Sequence, residues 1–123
     1  MLWAAWFFWA GAILWLSSLS PDELPDVAFA VWDKLNHFTA FALGGWLAAA
    51  ALRVSRPHAS PAAGVILAVI LVAAFGVVDE ALQTLTPGRA GGELDDWVAD
   101  ALGATVGALL TLPTLSRLTA GAS

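Results

Sequence analysis

The chain of 123 residues has no cysteine. Disulfides, thiolate metal sites and cysteine nucleophiles are therefore excluded. It has no tyrosine either, so any aromatic belt at a membrane boundary falls mostly to its seven tryptophans. Charge is scarce: 12% of residues are charged, against about 25% in an ordinary soluble domain. With five Lys and Arg in all and no basic run, nothing here offers a nucleic-acid footprint. What remains is apolar. Hydrophobic residues make up 59% of the chain and its mean hydropathy is +0.78. A soluble fold would lack the polar residues to cover itself, so the composition predicts an integral membrane protein.

Spanning a hydrocarbon core of about 30 Å takes roughly 20 apolar residues, with about 17 as the lower limit. Four stretches qualify, near residues 2–19, 32–52, 62–86 and 95–112. They predict an all-α, single-domain bundle of four transmembrane helices. The first has no basic leading segment and a long apolar stretch, which favours a retained span over a cleaved signal peptide. Trp3, Trp6 and Trp9 share one of its faces, as interfacial anchors or as packing. Ala40, Gly44 and Ala48 in the second span, and Ala99, Gly103 and Gly107 in the fourth, form small-residue stripes of the kind that let helices approach closely. Pro113 to Ser123 reads as a short tail.

Four spans place the N-terminus, the 53–61 loop and the tail on one side. Arg53, Arg56 and Arg117 lie there, against Lys34 and Arg89 on the other side. The positive-inside bias thus gives an N-in, C-in orientation by three to two. Asp22, Glu23 and Asp26 read as a solvated acidic loop, and Ser20-Pro21-Asp22-Glu23 as a helix start.

The polar residues near the helix ends do not scatter. Asp33, Lys34 and His37 open the second span; Asp79, Glu80 and Gln83 close the third. A Pro87-Gly88-Arg89 turn follows, and Asp95, Asp96 and Asp100 open the fourth. In the N-in orientation all of them fall in one layer at the outer leaflet. A charged residue at mid-bilayer costs roughly 2.5–3.5 kcal/mol, so Asp79 and Glu80 together cost about 5–7 at full depth and less near the interface. Such groups call for partners. Lys34 and Arg89 are suited to an anionic phosphate or carboxylate. His37 with Asp33, four residues apart, can serve as an oriented acid or base. The carboxylates of Asp79, Glu80, Asp96 and Asp100 can position groups or hold a divalent cation. The alternative use of this layer is structural: a salt-bridge network that fixes four helices and leaves the outer loops to bind a partner. Ion transport is disfavoured, because the inner halves of spans two to four carry no charge to continue a path.

The motifs Asp33-Lys34-x-x-His37-Phe38, Asp79-Glu80-x-x-Gln83-x-x-x-Pro87-Gly88-Arg89 and Asp95-Asp96-x-x-x-Asp100-x-x-Gly103-x-x-x-Gly107 resemble the VanZ-like family. That family is named after a teicoplanin-resistance membrane protein, and the resemblance covers residues 32–107. It implies a bacterial membrane protein connected with the cell envelope and with glycopeptide susceptibility, and it implies no settled reaction. It picks out Asp79, Glu80, Gln83, Arg89 and one of Asp95 and Asp96; the i, i+4 relation to Asp100 favours Asp96. Two departures stand out. The family usually has Asn at the position of Asp100, and the loop after Arg89 is one residue longer, with Gly91-Gly92 absorbing it.

Overall fold

The computed structural model describes residues 1–24, 33–89 and 91–120, with the side chains of Asp33 and of residues 118–120 outside the description. Four helices make up the fold: α1 (Leu2–Ser18), α2 (Asp33–Ser55), α3 (Pro61–Leu85) and α4 (Leu94–Ala120). No strand occurs among the described residues. The chain is a membrane protein: α2, α3 and α4 are each long and apolar enough to cross a bilayer. At 17 residues, α1 is shorter, about 25 Å at 1.5 Å per residue.

Local signals fix the helix ends. Ser60 caps α3, its hydroxyl accepting from Ala63 N at 3.2 Å, and Pro61 takes the first helical position, where its missing N–H costs nothing. Ser20 and Glu23 cap a single 3-10 turn over Pro21–Glu23 reciprocally. After α3, Thr86 to Arg89 make a tight turn. Arg89 N donates to Thr86 O at 3.1 Å, and Gly88 takes φ +76° behind Pro87, the type II arrangement. The sequence places the end of the fourth span near Leu112, with a short tail from Pro113. Instead α4 runs on through Pro113 to Ala120. Pro113 has no N–H to offer Leu109 O, and the neighbouring hydroxyls fold back onto the carbonyls beside it, Thr111 to Ala108 O at 2.6 Å and Thr114 to Leu110 O at 2.9 Å.

Helices α2 and α4 are the tightest pair, and glycine is the reason. A Cβ on Gly103 would meet Phe38 O at 2.1 Å, and one on Gly107 would meet Ala42 O at 1.8 Å. From the other side, a Cβ on Gly45 would meet Ala104 O at 2.2 Å. The stripe of α4 thus brings the two backbones into contact at Phe38, Ala42 and Gly45, the packing that substitutes for hydrophobic driving force in lipid, whereas Ala40 and Gly44 of the stripe expected in α2 meet Trp9 of α1 instead.

An aromatic cluster seats α1. Trp6 and Trp9 are buried and stack with Phe41 of α2 and Phe75 of α3, with ring centroids 5.2–6.1 Å apart. Trp9 Nε1 donates to Ala40 O at 2.9 Å and lies against Gly44. Of the two readings of the tryptophan stripe, packing holds for Trp6 and Trp9. The outer surface is apolar, with Phe7, Phe8, Ile66, Ile70 and Leu110 all exposed, as a lipid-facing surface requires.

Candidate functional site

Each helix delivers polar side chains to the same end of the bundle. Helix α2 brings Lys34 and His37 in its first turns, and α3 brings Asp79, Glu80 and Gln83 in its last two. Helix α4 brings Asp96 and Asp100 near its start. Helical spacing aims them inward: His37 lies one turn before the buried Phe41, and Asp79 and Gln83 continue the buried face of Val72 and Gly76. Asp79, Glu80 and Asp100 are 2%, 5% and 0% exposed. Counted at 1.5 Å per residue, Asp79 and Asp100 each lie about 9 Å inside the end of their helix. Gly76 makes the space: a Cβ there would come within 3.3 Å of both Asp100 Oδ2 and Phe41.

Three groups of contacts make up the layer. In the first, His37 Nδ1 and Asp100 Oδ1 are hydrogen-bonded at 2.7 Å, and Glu80 Oε1 lies 3.9 Å from the same nitrogen. The histidine is therefore oriented by Asp100 of α4. The Asp33 side chain, its expected partner, lies outside the described residues. In the second, Lys34 Nζ meets Asp96 Oδ1 at 3.1 Å and ties α2 to α4. Asp96 is buried while Asp95 is exposed, so Asp96 is the aspartate that faces the site. In the third, Ser17 of α1 donates to Asp79 Oδ1, and Gln83 Nε2 donates to Asp79 Oδ2 at 3.3 Å. Thr86 reaches Ser17 O at 2.8 Å.

Arg89 takes a different place from its fellow cation. Its Nη1 lies 3.4 Å from the carbonyls of both Leu16 and Leu19, at the C-terminal end of α1, where a cation complements the helix dipole. It is half-buried at the rim, on the Ser17–Asp79 side. Glu93 is exposed in the loop.

Not every buried polar atom is matched. Neither carboxylate oxygen of Glu80 has a hydrogen-bond partner among the described residues, nor does Asp100 Oδ2. An ionised carboxylate left so in a low-dielectric interior is costly, and such groups protonate, pair or coordinate a cation. One ligand atom from each of His37, Asp79, Glu80 and Asp100 can be chosen so that all lie within 4.8 Å of one another. Two shallow cavities lie at the opposite end of the bundle. One, of about 170 Å³, is bordered by Arg53, Arg56 and Ser60; the other, of about 250 Å³, by Met1, Trp3 and Ser55.

Ser17 and Thr86 are the members of the layer that motif spacing did not select. For Ser17 a signal was present: it follows Trp6, Ala10 and Ile13 at three- and four-residue steps on the inward face of α1. A hydroxyl at the end of a packed stripe needs a partner inside.

Fold and site together define a helical membrane protein with an ionisable cluster buried at one end of its bundle. The VanZ/LLP1 family profile matches residues 3–116, and the chain belongs to that family. No curated protein and no solved structure matches it.

Proposed function

We propose that the polar layer is a site for an anionic, lipid-linked component of the bacterial cell envelope. In this reading the protein is a multi-pass protein of the cytoplasmic membrane, N-in and C-in, and the layer faces the outer leaflet. The carrying observation is Glu80, buried between three helices with both oxygens unmatched and His37 Nδ1 at 3.9 Å. A purely structural network has no use for an unmatched carboxylate, whereas a reaction or binding site does. Lys34 and Arg89 stand at the rim on either side and supply the charge that an incoming phosphate or carboxylate needs. Behind them His37, held by Asp100, is positioned to take or give a proton, and Glu80, Asp79 and Asp96 define the wall. Gln83 fixes Asp79. By acting on or holding such a component, the protein alters glycopeptide susceptibility, as its family's naming member does for teicoplanin.

The test uses purified protein in nanodiscs with a long-chain isoprenyl phosphate as probe. Binding or turnover that is lost in both His37→Ala and Arg89→Ala, with melting behaviour unchanged, supports the site. Equal binding by wild type and both variants removes it.

A second reading has its own observation. Lys34–Asp96 and Ser17–Asp79 each join two helices, which is what a specifying scaffold does. Conservative changes separate the two. A scaffold tolerates Lys34→Arg and Asp96→Glu in a glycopeptide-susceptibility assay; a site shaped to one ligand does not.

A further inference from the structure

We propose that His37, Asp79, Glu80 and Asp100 form a binding site for a divalent metal cation, of the Zn²⁺ or Mn²⁺ class. The inference deepens the reading of the same site given above, and it stands or falls by direct metal binding, with no lipid-linked ligand needed.

Geometry carries it. Four atoms at the corners of a tetrahedron with 4.8 Å edges lie about 2.9 Å from its centre, so one shared position comes within about that distance of every ligand atom in the set. Carboxylate oxygens sit roughly 2.0–2.2 Å from zinc, and imidazole nitrogens about as close. Side-chain adjustments of up to about 0.9 Å close the set around one ion. The residues come from three helices and so converge in space, although they are up to 63 positions apart in sequence.

The unmatched atoms supply an independent reason. Glu80 is 5% exposed and Asp100 is fully buried, and between them three buried carboxylate oxygens have no hydrogen bond among the described residues. Three buried acids beside one half-buried imidazole have no lysine or arginine paired with them among the described residues. Lys34 is engaged by Asp96, and Arg89 by the end of α1. A divalent ion neutralises two of the three charges and occupies the free oxygens at once. One nitrogen with three oxygens suits zinc and manganese; an all-oxygen shell would suit calcium or magnesium. Around the first four ligands lie fixed neighbours. Ser17 and Gln83 hold Asp79, and such outer hydrogen bonds orient ligands in known metal sites. The chain has no cysteine, and its other histidine, His58, is exposed at the far end of the bundle. A bound transition metal therefore has few competing positions.

The experiment is equilibrium dialysis of the full chain, purified in detergent and stripped with a chelator, against Zn²⁺ or Mn²⁺, with bound metal counted by mass spectrometry. About one equivalent of at least one of the two metals is expected. Glu80→Gln and Asp100→Asn each keep side-chain volume and remove a charge, and each is expected to weaken affinity more than about tenfold. Glu93→Gln, exposed in the loop, keeps the full equivalent. A measurement on the wild type alone guards against misfolded variants: the bound metal raises the melting midpoint and chelator lowers it. The proposal is overturned if neither metal binds, or if the two cluster variants bind as the wild type does. It is equally overturned if chelator leaves the wild-type midpoint unmoved. A wild-type protein that binds isoprenyl phosphate but neither metal refutes the metal and spares the lipid site; one that binds metal but no isoprenyl phosphate does the opposite.

Discussion

Replacing Gly103 by alanine tests whether the packing of two helices sets the geometry of the polar layer. The added Cβ meets Phe38 O at 2.1 Å, and ordinary contact begins at 3.4 Å, so the backbones must part by about 1.3 Å there. Phe38 is next to His37, and Gly103 is one turn from Asp100. Opened by that amount, the 2.7 Å hydrogen bond between His37 and Asp100 stretches to about 4 Å and is lost. Overpacking costs about 1–3 kcal/mol, and losing a hydrogen bond to a charged group about 1.5–3. Alanine's better helix propensity offsets about 1 kcal/mol. The net is a destabilisation of about 1.5–5 kcal/mol. Gly64 is the internal control. It too lies within a helix, but a Cβ there has nothing within 4 Å, so Gly64→Ala is neutral or stabilising by up to about 1 kcal/mol. Reversible unfolding in mixed micelles, followed by circular dichroism, measures both. Equal stability of the two variants would refute the claim that the α2–α4 contact is at its steric limit.

Other outcomes follow from the same geometry. Ser17→Ala removes the hydroxyl that holds Asp79 inside the bundle and costs about 1–3 kcal/mol in the same unfolding assay. Ser18→Ala, whose hydroxyl bonds only to Trp15 O one turn back, leaves the stability near wild type. Asp96→Ala strips Lys34 of its partner and lowers the melting midpoint, whereas Asp95→Ala, on the exposed side, leaves it unchanged. At the exposed 3-10 turn, hydrogen bonds from Ser20 N at 2.8 Å and Ser20 Oγ at 3.0 Å hold the Glu23 carboxyl below its ordinary pKa. A depressed acid stabilises the folded turn above its unfolded pKa, and the contribution fades as pH falls through the lower folded value. A carboxyl chemical-shift titration by NMR reads this directly, and a midpoint at the ordinary glutamate value would contradict it.

The helical architecture was legible because lipid imposes a length, and apolar runs of that length are hard to mistake. Gly103 and Gly107 were readable for a similar reason: a four-residue repeat of small residues has few uses other than close approach. Asp96 could be preferred to Asp95 because only one of two adjacent residues shares a face with Asp100. Partner choice was less accessible. His37 bonds Asp100, 63 residues away, because the α2–α4 contact carries the two helices together at that level, and no local spacing encodes that partner. Arg89 illustrates the same gap. Its charge suits an anion, and the tight turn before it also lets it reach the carbonyl end of α1, a contact across 70 residues that no local spacing encodes. The persistence of α4 beyond Pro113 was hidden too, since a proline ordinarily marks a helix end.

The shortness of α1 has a consequence for the membrane itself. Trp3 of α1 donates to Ser55 at the last residue of α2, so the two helices are level at that end. At the other end Ser17 meets Asp79, about 9 Å before α3 finishes. All of the deficit in α1 therefore falls on the side of the polar layer. Lipids next to a short apolar helix thin to match it, because exposed hydrocarbon costs more than a modest compression. A bilayer matched to each helix in turn would keep its full height against α3 and α4 and dimple beside α1. Head groups that settle in the dimple stand level with Asp79, so a layer buried with respect to the longer helices lies at the waterline on that one flank.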